Sequence, residues 1–341
     1  MTMCKTKIKI DSEYTVAISH INNLLWSCQA LGLSTETLKR DAKLSTQQLS
    51  DPEARASTKQ FHQLWQSIEQ LSNMPDIGLQ IGQNLRFGHW GLIEYISLNA
   101  SNFSQVMGII IRYWRLVTED KKDINLTPID DNNVALSFLG DETIPAIVYQ
   151  ADMVYLDRVL KLIFGPDLQP VEFWFYHGCD ANLNESHFKK VLNAPLRFNQ
   201  STNAVILTQE QIERPINQDS ALMKILIEQA EKRLKALDQQ LTMTLRVTNL
   251  IESGLSKLSE VAKKLHMSER TLQRRLEKEG YAFNDILNQV QKDKAQKYLI
   301  DNTLSIKEIS FLLGFQDERG FYSAAKRWFG LSPKDYRVKY V

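Results

Sequence analysis

One stretch near the end of the chain is written twice. Residues 258–276, LSEVAKKLHMSERTLQRRL, can be laid over residues 306–325, IKEISFLLGFQDERGFYSAA. Leu258, Val261, Ala262 and Leu265 fall on Ile306, Ile309, Ser310 and Leu313 at an offset of 48. Past the turn, Leu272 and Leu276 fall on Phe321 and Ala325 at an offset of 49, so one residue has been added in or just after the second turn. Apolar residues recur at helical spacing on both sides of a short break in each copy. A chain with this pattern has to build one small unit twice: a short helix, a tight turn and a second helix.

The local chemistry agrees. In the first copy the pattern predicts a helix over 257–265 capped by Ser256 and a second over 269–279 capped by Ser268. In the second copy Ser305 and Glu308 form a capping box, each able to satisfy an orphan backbone N–H. Gly314 sits where the chain must turn sharply in a left-handed conformation, and Asp317 or Glu318 opens the next helix. Between the copies, FNDILNQVQKDKAQKYLIDN (283–302) reads as a helix with Ile286, Leu287, Val290, Ala295, Leu299 and Ile300 as its apolar positions. Such a helix spans roughly 30 Å. Successive major grooves on one face of B-DNA are about 34 Å apart, so a rigid spacer of this length can place two recognition helices in adjacent grooves.

The outward faces point to the same partner. In helix 269–279, Leu272 and Leu276 point inward, Thr271 and Arg275 lie at the margins, and Arg270, Gln273 and Arg274 point out. Arg can make two hydrogen bonds to guanine and Gln two to adenine in the major groove. In helix 318–328, Phe321, Ala325 and Trp328 pack inward while Glu318, Arg319, Tyr322, Ser323 and Lys326 point out. The remaining basic and hydroxyl residues, with Ser268, Thr271, Arg275, Lys326 and Arg327 among them, suit phosphates, which fix position rather than sequence. Charge is segregated accordingly. Residues 255–341 hold 17 Lys/Arg against 11 Asp/Glu, whereas the preceding 254 residues are net acidic, and the whole chain sums to only +1. A bundle of seven short helices that binds protein would share the apolar pattern; the repeat, the spacer and the basic surplus together favour double-stranded DNA.

A length of 341 residues suggests two or three domains. The first 120 or so read as mainly helical, with segments at 15–33, 58–71, 76–84, 89–98 and 103–117, the last capped by Ser104. The pattern then alternates at a period of two in 124–129 and 134–139, around an Asp/Asn turn, and again in 171–177, 196–199 and 204–208, with a helix at 144–164 between. The expectation is an α+β domain over 1–215, a connecting amphipathic helix over 216–243 and an all-α domain over 244–341. The connecting helix carries Leu222, Leu226, Ala230, Leu234, Leu237 and Leu241 on one stripe. That stripe either packs on its own domain or pairs two chains into a homodimer.

At the C-terminal residues the chain resembles the AraC/XylS family of transcriptional regulators. The resemblance covers 244–341 and rests on LSEVAKKLHMSERTLQRRLEKEG, on IKEISFLLGFQDERGFYSAAKRWFG and on LSPKDYR, with Gly314, Phe315, Phe321, Lys326, Arg327, Trp328, Phe329, Gly330, Pro333, Tyr336 and Arg337 as its signature. It implies two helix-turn-helix motifs joined by a long helix, with base readout by Arg270, Gln273 and Arg274. The second helix departs from the family pattern, which has Ser where Arg319 stands, Arg where Ser323 stands and Phe where Ala325 stands. Arg319 then becomes the base-reading candidate of that helix, or the helix grips backbone. Residues 15–215 resemble, more weakly, the arabinose-binding-type sensor domain of one branch of the family. The stretches that carry this are LSDPEARAS (49–57), FGHWGLIEYISLNASNFSQVMGIIIRYWRLV (87–117) and NAPLRFNQSTNAVILTQEQIERPI (193–216). The resemblance implies a small-molecule effector, contact with RNA polymerase and activation of transcription; it does not imply arabinose.

Within the first domain, Arg112, Trp114, Trp174 and Tyr176 are the candidate ligand contacts, since ligand clefts combine apolar walls with a few placed polar groups. An aromatic stripe is more often plain core. His177 and Cys179 are a lone pair of soft ligands rather than a metal site, and no cofactor is expected. The sequence has no nucleophile elbow, P-loop, H-E-x-x-H or dinucleotide fingerprint, so a regulator is expected rather than an enzyme with a DNA-binding appendage. The three cysteines are scattered, and no apolar run approaches a bilayer span or a signal sequence, which fits a cytoplasmic protein without membrane partners.

Overall fold

A computed structural model of the chain describes residues 14–119, 124–139, 144–179, 182–216, 220–240, 242–300 and 304–340. Over the described residues the chain divides into two units, 14–236 and 237–340. The first is α+β and the second, over the described residues, is all helical.

The N-terminal unit opens on strand β1 (Thr15–Ala17), which pairs antiparallel with β2 (Arg55–Ser57). The sequence pattern places 15–17 in the first helix; the structure starts that helix at Ile18 and runs it to Ala30. Val16 and Ile18 suit either periodicity; the extended form wins through partners about forty and a hundred residues away. Arg55 donates to Thr15 Oγ1 at 2.6 Å and to the Leu116 carbonyl at 2.9 Å, and Glu119 accepts from the Thr15 hydroxyl at 2.6 Å. Helix Thr58–Leu71 starts at a Ser57–Gln60 capping box. The helix Phe103–Tyr113 is capped by Asn102, whose side chain accepts from Gln105 N at 2.9 Å, and not by Ser104.

The second sheet contains β3 (Ile124–Pro128), β4 (Asn133–Leu139), β5 (Glu172–Trp174), β6 (Leu196–Arg197) and β7 (Thr202–Thr208), in the order β3-β4-β7-β5-β6. All its pairs are antiparallel except β5 with β6. Asp130 makes the expected turn, its Oδ1 accepting from the backbone of Asn132 and Asn133 at 2.8 Å. Alternation sends Val134, Leu136, Phe138, Val205 and Leu207 into the main core and Ala135, Ala204 and Ile206 to the opposite face, where Trp174 packs. Strands β5 and β6 are shorter than the alternation over 171–177 and 196–199 suggests. The helix Ala146–Phe164 is buried nearly all round and packs on Ile77–Asn84 through Gly78 and Gly82.

The long helix Ser220–Gln240 sets Met223 and Ala230 into that same core, with Leu226, Ile227 and Leu234 packed beside them. Leu222, the first residue of the expected stripe, is exposed, so the inward face is turned by one residue at this end. Leu241 lies outside the described residues.

Seven helices build the described part of the C-terminal unit: Met243–Glu252, Leu258–Lys264, Glu269–Lys278, Phe283–Ile300, Ile306–Leu312, Glu318–Phe329 and Pro333–Tyr340. They enclose two cores. The first joins Met243, Val247 and Ile251 to Val261, Leu272 and Leu276; the second joins Ile309, Leu313, Phe321, Ala325 and Tyr336. The spacer helix Phe283–Ile300, about 27 Å long at 1.5 Å per residue, contributes to both.

Candidate nucleic-acid interface

Each copy of the repeat folds as helix, left-handed turn and helix. The first turn is made by His266 at φ 54° and the second by Gly314 at φ 79°, the two positions that align at the offset of 48. The closing bonds match as well. Met267 N donates to Ala262 O at 3.0 Å and Phe315 N to Ser310 O at 3.1 Å, a Schellman closure in both. The added residue is Gln316, since Ser268 and Asp317 cap the following helices in the two copies. Contrary to the expectation from sequence, Ser256 does not cap the first motif; Leu258–Lys264 starts after Lys257 with no side-chain cap. The Ser305–Glu308 capping box is present.

The first recognition helix, Glu269–Lys278, buries Leu272 and Leu276 completely. Its opposite face presents Arg270, Gln273, Arg274 and Arg275 to solvent. Among the described residues, none of these four has a hydrogen-bonding or ionic partner, so their donors face outward unused. Ser268 and Thr271, expected at phosphates, serve the cap: Ser268 Oγ lies 3.2 Å from Thr271 N and 2.9 Å from its hydroxyl.

The second recognition helix, Glu318–Phe329, buries Phe321, Ala324 and Ala325, with Trp328 partly covered. Ala325, where the family pattern has Phe, is therefore a core position and not a reading one. Glu318, Arg319, Ser323 and Lys326 are exposed, and Tyr322 is half-buried. Arg319 and Lys326 have no partner among the described residues. Arg327 does: its Nη2 donates to Asn288 Oδ1 on the spacer helix at 2.9 Å. The signature Arg337 also acts inward, donating to the carbonyl of Leu299 at 3.1 Å and to that of Leu304, beyond the end of the spacer helix.

The two motifs differ on the outer face of their first helix. Lys263 and Lys264 occupy it in the first copy. Phe311 and Leu312 occupy it in the second and are 81% and 51% exposed. They border a groove of about 830 Å³ that reaches Phe315 and Arg319. The duplication is needed to see this contrast, since neither residue stands out alone.

The ligand candidates in the N-terminal unit do not come together. Arg112 is exposed and pairs with Glu231 at 2.6 Å, which also accepts from the Tyr113 hydroxyl at 2.6 Å. Trp114 meets Trp90 edge-on within the main core, with ring centres 5.6 Å apart. Trp174 lies on the far face of the sheet, its indole donating to Glu172 at 2.5 Å. Tyr176 is half-buried and its backbone N–H donates to Asn203 Oδ1 at 3.0 Å. A polar centre that the sequence did not single out lies deeper. Glu94, 1% exposed, accepts from Gly88 N and Trp90 N at 2.6 Å and lies 2.8 Å from the Tyr155 hydroxyl oxygen. Burial raises its pKa above the usual carboxylate value against those donors. It holds the Gly88–Gly91 loop in place, and only the folded geometry shows this. Among the described residues no group of three or more His, Cys, Asp or Glu could hold a metal ion. No helix there is long and apolar enough to cross a membrane.

Comparison with known proteins bears on both units. Residues 32–216 match the family described as the arabinose-binding domain of AraC transcription regulator, N-term, and residues 261–339 match a helix-turn-helix domain. The chain is 28% identical over 331 residues to an ornithine utilization regulator of Pseudomonas aeruginosa, a match covering 94% of this chain and 96% of that one. It is 26% identical over 275 residues to the HTH-type transcriptional regulator VirS of Mycobacterium tuberculosis, covering 77% and 79%. It is 38% identical over 94 residues to the transcriptional activator AggR of Escherichia coli, covering 27% and 36%. With a sensor-type domain matched over more than half its length and a duplicated helix-turn-helix behind it, the chain belongs to the AraC family of DNA-binding transcriptional regulators.

Proposed function

We propose that the protein is an effector-responsive activator that reads two adjacent major grooves with one DNA-binding domain. The observation that carries this is the pair of exposed recognition helices, Glu269–Lys278 and Glu318–Phe329, built on one spacer about 27 Å long. Arg270, Gln273 and Arg274 read bases, since their donors point outward and have no partner among the described residues. Arg319 reads or docks at the second groove, while Lys326, Ser323, Tyr322 and Glu318 meet backbone and flanking edges. DNA selected in vitro from random sequence should carry two conserved boxes about one helical turn apart, and footprinting should protect both on one face. Protection of a single groove would overturn the reading.

An activator has to touch the transcription machinery, and the exposed Phe311–Leu312 face beside the second recognition helix offers RNA polymerase a contact surface. The likeness to a protein named as an activator supports the sign of regulation. The N-terminal domain is where an effector would act, and it can shift the protein between arrangements only by binding them unequally. The relative named for ornithine utilization makes amino acids with a second amino group the first compounds to screen. A rise in the thermal midpoint of the full-length protein with one of them would support this. No stabilisation across a broad metabolite library would favour a ligand-independent regulator set by its own level or by a protein partner.

A further inference from the structure

The two helix-turn-helix units have separate cores, and the spacer helix is divided between them. Phe283, Ile286 and Val290 belong to the first core, Ala295 and Leu299 to the second. Each unit is thus held by the half of the helix that it packs on. Three polar side chains in the middle turns cross that division. Asn288 Oδ1 accepts from Arg327 of the second recognition helix at 2.9 Å. Asn288 Nδ2 donates to the Asn284 carbonyl at 2.8 Å, so the amide presents its oxygen to the guanidinium. Gln291 Nε2 donates to the Leu313 carbonyl, at the turn of the second unit, at 2.8 Å. Lys294 runs the other way, its Nζ donating to the Glu252 carbonyl at the end of the first unit's Met243–Glu252 helix at 2.7 Å. Each unit is therefore bonded to the part of the spacer helix that carries, or adjoins, the other unit's core.

We infer that Asn288, Gln291 and Lys294 are positioning residues for DNA recognition: they lock the angle between the two recognition helices and so set the spacing and phase of the two boxes the protein accepts. The inference rests on the two-groove reading above. One base pair changes the separation of the boxes by about 3.4 Å and their phase by roughly 35°, since a turn holds 10–10.5 base pairs. A unit free to rock on the spacer absorbs such a change, and a locked pair does not. None of the three side chains has to touch DNA for this.

The test uses full-length protein and DNA selected by the wild type. Binding is measured at the native spacing, with one or two base pairs added or removed between the boxes, and on DNA with the first box alone. The wild type should lose affinity when one base pair is added or removed, since the second helix then meets its groove out of phase. The Asn288→Leu/Gln291→Met variant should bind the single box as the wild type does, bind the native spacing several-fold more weakly, and show a flattened spacing profile. Asn288→Asp, which keeps an acceptor for Arg327, should retain the profile. A wild type indifferent to spacing would remove the two-groove reading itself. A selective wild type with an equally selective double variant would overturn the inference and leave that reading standing. If the double variant loses single-box binding because it unfolds, Lys294→Met is measured in the same way, and an unchanged profile there overturns the inference.

Discussion

His266 and Gly314 solve the same turn with different side chains. Both lie in the left-handed region, at φ 54° and 79°, and both precede a Schellman closure. A Cβ in that region costs about 1–2 kcal/mol, which Gly314 avoids and His266 bears. His266→Gly should therefore stabilise the C-terminal unit by about 0.5–1 kcal/mol once the added freedom of the unfolded chain is subtracted. Gly314→His should destabilise it by about 1–2 kcal/mol; a Cβ there also comes to 3.4 Å from Ser256 Cβ and Oγ. Urea unfolding measures both, and shifts of the same sign would contradict the account. His177 offers a residue-level test in the other unit. It lies against Phe175 and Phe188, with ring centres 5.3 and 6.1 Å away, and burial pushes its pKa below the ordinary 6.5. Above that value both the folded and the unfolded chain hold the ring neutral. As pH falls through it the unfolded chain takes up the proton first, so stability is lost towards acid. His177→Phe should remove this contribution. The stability difference between wild type and variant, followed from about pH 7.5 down to 5.5, should change in the variant's favour.

At the scale of elements, two helices of the N-terminal unit approach closely because one of them carries glycines where they touch. A Cβ on Gly82 would lie 2.6 Å from the Ala151 carbonyl oxygen and 2.8 Å from Val154 Cβ. In an isolated helix Gly→Ala stabilises by roughly 0.5–1 kcal/mol. Here the helices must part, and Gly82→Ala should cost about 1–3 kcal/mol net, read as a lowered thermal midpoint. A raised midpoint would show that the contact gives way freely. Elements whose partners are local were legible in the sequence: the Asp130 turn, the capping box at Ser305 and the inward faces of both recognition helices. Elements settled at long range were not. Thr15–Ala17 is a strand because Arg55–Ser57 pairs with it, and nothing in TVA distinguishes it from the helix that follows. Asn102 caps the helix two positions before Ser104, and Phe103, its first residue, already lies in the core. The outward face of Arg270, Gln273 and Arg274 could be read from a period of 3.6. The hold of Arg327 on Asn288, 39 residues away, could not. The scattered placement of Arg112, Trp114, Trp174 and Tyr176 likewise depends on which face of which sheet each one reaches.

Over the whole molecule, charge and geometry make separable claims about DNA. The surplus of 17 basic over 11 acidic residues in 255–341 supplies affinity for any duplex through counterion release, and that contribution falls with salt. Specificity has to come from the few donors that reach base edges. The two recognition helices are unequal in this respect: the first presents four donor side chains that have no partner among the described residues, while the second has Ser323 and Ala325 where a reading Arg and a core Phe are common in the family, and its Arg327 is held by the spacer. Arg274→Ala should therefore cost roughly 1–3 kcal/mol on the selected site and relax preference at one base position. It should leave affinity for random DNA little changed. Lys326→Ala should weaken selected and random DNA alike and reduce the slope of log affinity against log salt by about 1. Titrations of both variants on both DNAs between about 50 and 200 mM salt separate the two roles. Equal losses for Arg274→Ala on selected and random DNA would move that residue to the backbone and leave the first motif to dock rather than read. A slope unchanged in Lys326→Ala would show that the second helix keeps its basic face away from phosphate.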